Sequence, residues 1–238
     1  MSAQIGNKTQ TSVSTSPATV SFNNNGSVLA AFVARYGTWT ASNFKYNGQA
    51  MTIVEQCTHG SPGLYLTIYA LALENAPEGN HDFTFNNAGG TWYVVLYSIQ
   101  GGTDIGNSAI GNVAQGYNVQ AAISTRDNLG IVLNGTERET GGGAGLNPNN
   151  MTEDYDFGDG TNRYGFGHVA ATGGTDNPYF SWGTTEDAVC IVFEVHGAVG
   201  GSQAIWFWME RARRFYDELR RGLIPLHDLE RRYQEVMI

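Results

Sequence analysis

A chain of 238 residues is long enough for one large β domain or two small ones, and it can bury a sizeable core without staples. Only 15% of the residues are charged while Gly, Asn, Thr and Ser abound, the mix expected of short strands joined by tight turns. The net charge of −9 is unevenly spread: residues 1–197 carry 6 Lys and Arg against 16 Asp and Glu, whereas residues 198–238 carry 7 Arg against 6 acids. An acidic body repels phosphate, which argues against nucleic-acid binding by residues 1–197. No apolar run reaches membrane-spanning length, and Met1–Ser16 lacks the basic-then-apolar order of a signal peptide.

Along the chain, residues 1–17 are rich in Ser, Thr and Gln and read as a flexible or extended N-terminal arm, mobile until something binds it. Eleven strand-like runs follow: Ala18–Phe22, Val28–Ala34, Met51–Gln56, Leu64–Leu73, His81–Phe85, Thr91–Gln100, Val119–Thr125, Leu129–Asn134, Tyr164–Thr172, Pro178–Trp182 and Ala188–Val195. They are bounded by turn-forming clusters such as Asn47-Gly48 and Gly89-Gly90. Leu64–Leu73 and Trp92–Ile99 are apolar at nearly every position and read as central strands. His81–Phe85 alternates, with Phe83 and Phe85 inward, and suits a strand nearer an edge. Gly135–Tyr164 reads as a long irregular region. Residues 18–197 are therefore expected to form an all-β domain, a two-sheet antiparallel sandwich. Cys57 and Cys190, at the end of and inside apolar runs, read as buried thiols.

After Gly200-Gly201 the pattern changes to helical. Ser202 is a plausible N-cap, and Gln203–Arg221 contains neither Gly nor Pro. Ile205, Met209, Ala212, Tyr216, Leu219 and Leu223 follow alternating steps of four and three, a heptad-like seam. Gly222 and Pro225 mark a break before a second helix carrying Leu226, Leu229, Tyr233 and Val236. Residues 202–238 thus read as a C-terminal α-helical appendage, helix-break-helix, which cannot bury its apolar stripe alone. Trp206 and Trp208 beside Arg211, Arg213 and Arg214 have the composition of protein–protein anchors. The expected oligomer or partner interface comprises Ile205, Trp206, Trp208, Met209, Arg213 and Tyr216, continued by Leu219, Leu223, Leu229 and Tyr233. The alternative is that these helices cover an open end of their own sandwich.

Few residues invite chemistry. The acidic segment Glu153–Gly160 offers Asp154, Asp156 and Asp159 as calcium candidates, but its spacing misses the EF-hand pattern and favours turn-forming roles. The five histidines form no metal-spaced pair, and neither a nucleophile elbow nor a phosphate loop occurs. Glu55 and Glu194 lie in strands without an evident partner for paired-acid hydrolysis. These absences argue against an enzyme, and no cofactor is expected. Trp39, Trp92 and Trp182 with Tyr36, Tyr46 and Tyr179 match a sugar-stacking platform, although aromatics in β proteins serve more often in packing.

The run Ala18-Thr-Val-Ser-Phe, Val28–Ala34, Tyr46-Asn-Gly-Gln-Ala-Met-Thr-Ile-Val54, Leu66–Leu73, Pro77-Glu-Gly79 and Trp92–Gly101 resembles a jelly-roll-like β-sandwich family. Val169–Ala171, Phe180-Ser-Trp182 and Ala188–Val195 look like its closing strands, so the resemblance spans residues 18–197. The family is found in bacteriophage structural proteins and bacterial surface proteins, usually as structural or adhesive modules without catalytic residues. The helical tail lies outside its pattern. The resemblance implies a virion structural accessory (a capsid decoration, head fibre or tail-associated protein) partnered by its own copies or by capsid or tail proteins. It further implies assembly in a host cytoplasm, with no nucleic-acid or membrane partner. A carbohydrate-binding or adhesive module with a glycan partner, and a self-assembling filament or shell subunit, are the alternatives.

Overall fold

The computed structural model describes residues 1–37, 40–59, 65–139 and 145–198, and every regular element among them is a β-strand. The tail over 202–238, expected to be helical, lies outside the described residues.

The longest apolar runs form the middle of the body. A five-stranded antiparallel sheet is ordered β1 (Gln4–Val13), β9 (Trp92–Gln100), β3 (Val28–Tyr36), β7 (Leu66–Glu74), β6 (Thr52–His59). Its central strands are apolar at successive positions because both faces are covered. On β3, Val28, Ala30, Phe32 and Ala34 enter one core, and Leu29, Ala31 and Val33 enter another.

The first core packs this middle sheet against a six-stranded sheet ordered β10 (Gly102–Val119), β17 (Tyr179–Gly197), β12 (Ile131–Glu139), β15 (Asn162–Ala170), β14 (Thr152–Gly158). There β13 (Asn147–Asn149) also pairs with β17. Phe32 anchors this layer, with ring centroids 5.4 Å from Phe166 and 5.5 Å from Phe193. Full burial of such a side chain contributes roughly 1.5–3 kcal/mol. The second core packs the opposite face against a four-stranded sheet ordered β2 (Ala18–Asn24), β8 (Gly79–Asn87), β4 (Ala41–Tyr46), β5 (Gln49–Ala50), through Phe44, Phe83 and Phe85. A third cluster, including Val132, Cys190, Phe180 and Trp182, fills the far side of the six-stranded sheet. The short pair β11 (Ile123–Ser124) and β16 (Thr175–Asp176) contributes Ile123 there.

The fold is all-β and sandwich-like, but it has three packed layers where two sheets were expected. The unbroken apolar character of Val28–Ala34 was the sign of a doubly covered strand. Other differences have local causes. Residues 1–17 hold β1, which pairs with β9 across the edge of the middle sheet. Strand β8 lies between β2 and β4 and not at an edge, because its Phe83 and Phe85 face the middle sheet while its polar alternates face outward. The described residues of Gly135–Tyr164 are largely extended: β12 runs to Glu139, and β14 pairs with β15. Pro178–Trp182, from Tyr179 on, and Ala188–Val195 belong to one long strand, β17, bridged by polar residues that continue the ladder to β10 at Glu186. The Asn47-Gly48 turn is as its composition implies: both residues have positive φ, 49° and 74°, and they join Tyr46 to its partner Gln49.

Candidate functional site

The acidic segment builds three separate contacts. Asp154, whose side chain is wholly inaccessible, meets Lys8 Nζ from β1 and His168 Nδ1 from β15, the latter at 2.8 Å. The carboxylate thereby joins the edge of the middle sheet to the six-stranded sheet. Burial works to raise its pKa, but the hydrogen bonds and charges of His168 and Lys8 outweigh it and hold the carboxyl below its usual value. Lys8 also lies 5.6 Å from the Tyr155 ring centroid.

Asp156 takes a two-pronged contact from Arg163, Nε to Oδ1 at 2.7 Å and Nη2 to Oδ2 at 3.0 Å, and accepts the Leu146 amide. Asp159 accepts the amides of Thr161 and Asn162 on Oδ1 and the Tyr164 hydroxyl on Oδ2. The two amide contacts of Asp159 are Asx-turn chemistry. The three calcium candidates are thus occupied by different partners and are not gathered around one point. Among the described residues no group of three or more His, Cys, Asp or Glu is placed to hold a metal ion.

The aromatic platform is dispersed in the same way. Trp92 and Tyr46 are in the core beneath the four-stranded sheet, and Trp182 lies in the third cluster. Their polar tips point to backbone carbonyls: Trp92 Nε1 to Gly89, Tyr46 Oη to Phe22 and Gly79, and Trp182 Nε1 to Gly116. Tyr36 and Tyr179 are half-buried, and Trp39 lies outside the described residues. The ten interface candidates of the tail, from Ile205 to Tyr233, also lie outside them.

Two polar groupings were not evident in the sequence. At the end of β17, His196 is flanked by a carboxylate on each ring nitrogen: Asp104 Oδ2 at 2.8 Å from Nδ1 and Glu194 Oε2 at 3.1 Å from Nε2. Glu194 is fully buried and also accepts the Arg126 amide at 3.1 Å. Burial acts on the Asp104 carboxyl in the upward direction, yet Thr103, His196 and Arg126 together leave it lowered. With both imidazole nitrogens taken by carboxylates, this grouping has no nitrogen left to activate a hydroxyl or thiol nucleophile. Its sequence signal was Glu194 and His196 at alternate positions in an otherwise apolar run. Glu55, the other strand acid, accepts the Ser108 hydroxyl at 2.7 Å.

The second grouping centres on Glu137, fully buried between the middle and six-stranded sheets. Burial drives its carboxyl well above the usual carboxylate range, against the opposing effect of Thr67 and Tyr164. Nearby, Cys57 is a buried free thiol pushed up to about 11 by burial and by Glu137 and Glu55. Cys190 is the second buried free thiol, pushed up to about 12 chiefly by burial. Neither is poised as a nucleophile.

The contacts of Asp154, Asp156 and His196 hold strands and layers together. Among the described residues no helix is long and apolar enough to cross a membrane. No protein-family model matches the chain, and neither a curated protein nor a solved structure matches it.

Proposed function

We propose that this chain is a non-enzymatic structural accessory of a virus-like particle, a capsid decoration, head fibre or tail-associated component of jelly-roll-like kind. Residues 18–197 with the paired N-terminal strand serve as the displayed body, and residues 202–238 as the oligomerising or anchoring element. The observation that carries the reading is how the buried ionisable groups are used. Asp154 links two sheets through Lys8 and His168, and Glu194 and His196 secure the end of β17 to β10 and the Arg126 turn. Polar groups committed this way stiffen a scaffold. The Trp- and Arg-rich composition of 205–214 supports the anchoring role.

The test is light scattering after gel filtration on the full chain and on a variant carrying Trp206→Ser with Trp208→Ser. Loss of mass in the variant, with the thermal midpoint of the body unchanged, supports the tail as an assembly device. Equal mass for both forms, in isolation and when mixed with purified particles that capture the unsubstituted chain, overturns it.

A further inference from the structure

The end of the interlayer core where β3, β6 and β12 finish holds polar side chains that the body leaves unsatisfied. On β12, Glu137 pairs in register with Tyr164 of β15, and Glu139 with Asn162, so the four side chains share the face turned to the middle sheet. Glu137 and Asn162 are buried, at 0% and 1% exposure. Among the described residues, neither carboxylate oxygen of Glu137 and neither amide atom of Asn162 has a hydrogen-bond partner. The Tyr164 hydroxyl spends its proton on Asp159, at 3.2 Å. On β6, Cys57 stands near enough to feel the Glu137 charge. Two positions on, along the same face, His59 has a buried Nε2 that likewise lacks a partner.

Charge at this end has one sign. Asp159 acts on Glu137 as a like charge, and Glu137 and Glu139 together act on the Tyr36 hydroxyl. The guanidinium groups of the adjoining strands are turned elsewhere. Arg35 meets the Tyr36 and Gly89 carbonyls and the Trp92 ring, Arg163 meets Asp156, and Arg138 lies over the Trp182 ring. A water molecule would bring hydrogen bonds to Glu137 but no positive charge. Burial without a counter-charge is also what raises the Glu137 carboxyl, and a bound cation reverses that cause.

Aromatic rings line the same place. The Tyr164 ring centroid lies 4.5 Å from that of Tyr93 and 5.4 Å from that of Phe157. Tyr36, Tyr93, Phe157 and Glu139 are half-buried and make the rim, with Glu137 behind them. Rings around a carboxylate suit an organic cation, because the acid supplies the counter-charge while the rings face the alkyl stem and its charged head. A metal ion is the poorer fit, since no group of three or more His, Cys, Asp or Glu among the described residues is placed to hold one.

We propose that this end of the body binds an alkylammonium or alkylguanidinium group, held by the Glu137 carboxylate and the Asn162 amide oxygen against the rings of Tyr36 and Tyr164. A free amine and a Lys or Arg side chain carry this same chemistry. The site belongs to the body and does not depend on the role of the tail.

The experiment is titration calorimetry of the full chain with butylammonium chloride, beside butanol and sodium chloride, with the thermal midpoint followed at each concentration. The expected result is saturable binding of butylammonium with a rise in midpoint, and neither effect with butanol or sodium chloride. Glu137→Gln, which removes the charge and keeps the shape, should abolish the binding. Tyr36→Leu, at the half-buried rim, should weaken it roughly 2- to 5-fold, the scale of one ring's contribution to a cation. N-acetyl-lysine amide separates the sources. If it binds as butylammonium does, the site admits a side chain offered by a partner, and if it is excluded while butylammonium binds, the site takes a free amine. A parent chain that shows no saturable binding of butylammonium overturns the proposal, as does binding that Glu137→Gln and Tyr36→Leu both leave unchanged.

Discussion

Gly135 of β12 faces Phe32 of β3 so closely that a Cβ at position 135 would stand 2.5 Å from the ring. This contact lies between the two large sheets, where Phe32 also meets Phe166 and Phe193. Gly135→Ala is expected to destabilise the body by about 1–3 kcal/mol through overpacking. Phe32→Leu, harmful alone, should recover part of that loss in the double variant. Urea unfolding of the four proteins measures the coupling, and simple additivity would mean the two positions do not share a steric conflict.

Asp154 supplies a pH-dependent contribution of known sign. Its folded pKa is depressed, so the stabilisation is present above the ordinary carboxylate value and is lost as pH falls through the folded one. Asp154→Asn should lower stability near neutral pH by about 1–3 kcal/mol, the scale of hydrogen bonds to a charged group. The gap from the parent should close on acidification below the usual carboxylate range. Thermal midpoints measured from pH 7 down to pH 2 test this, and a constant gap would deny the carboxylate its bridging role.

Glu137 works in the opposite sense. Its folded pKa is raised, so the parent is favoured below the unfolded carboxylate value and loses stability as pH climbs through the folded one. Glu137→Gln, which stays neutral, should match the parent in acid and exceed it in mild alkali. Denaturant midpoints at both ends of the range decide the matter. A variant that is less stable than the parent in alkali would show that the ionised carboxylate is welcome where it sits.

The thiols give a simple count. Cys57 and Cys190 are buried, free and shifted upward, so a disulfide reagent at pH 8 should label neither in the folded chain and both after denaturation. Rapid labelling of either in the native state would mean that its part of the sheet opens readily.

The sequence made the interior strands legible and the edges obscure. Val28–Ala34 and Trp92–Ile99 announce themselves because a strand covered on both faces must be apolar throughout. Most of β10 carries no such signature: Gly, Asn, Ser and Ala alternate without an apolar period, and its strand character comes from the β17 ladder. Strand β1 is similar, being polar by composition and ordered by β9. The ionic contacts were hidden for a different reason. Lys8 and Asp154 are 146 positions apart, and only the packing of two sheets makes them neighbours. Asp154, Asp156 and Asp159 look alike in sequence, and their separate roles emerge from which face of β14 and its turn each occupies.

The placement of β17 has a consequence for synthesis. It lies between β10 and β12, yet it is made after both. At about 5–20 residues per second, roughly 2–8 s separate the end of β12 from the start of β17. For that interval the two earlier strands wait with their facing edges bare, and the six-stranded sheet has a gap between β10 and β12. A ribosome that stalls there releases a chain with two open templates for misassembly, so translation speed across residues 140–178 bears directly on how much of this protein reaches its folded state.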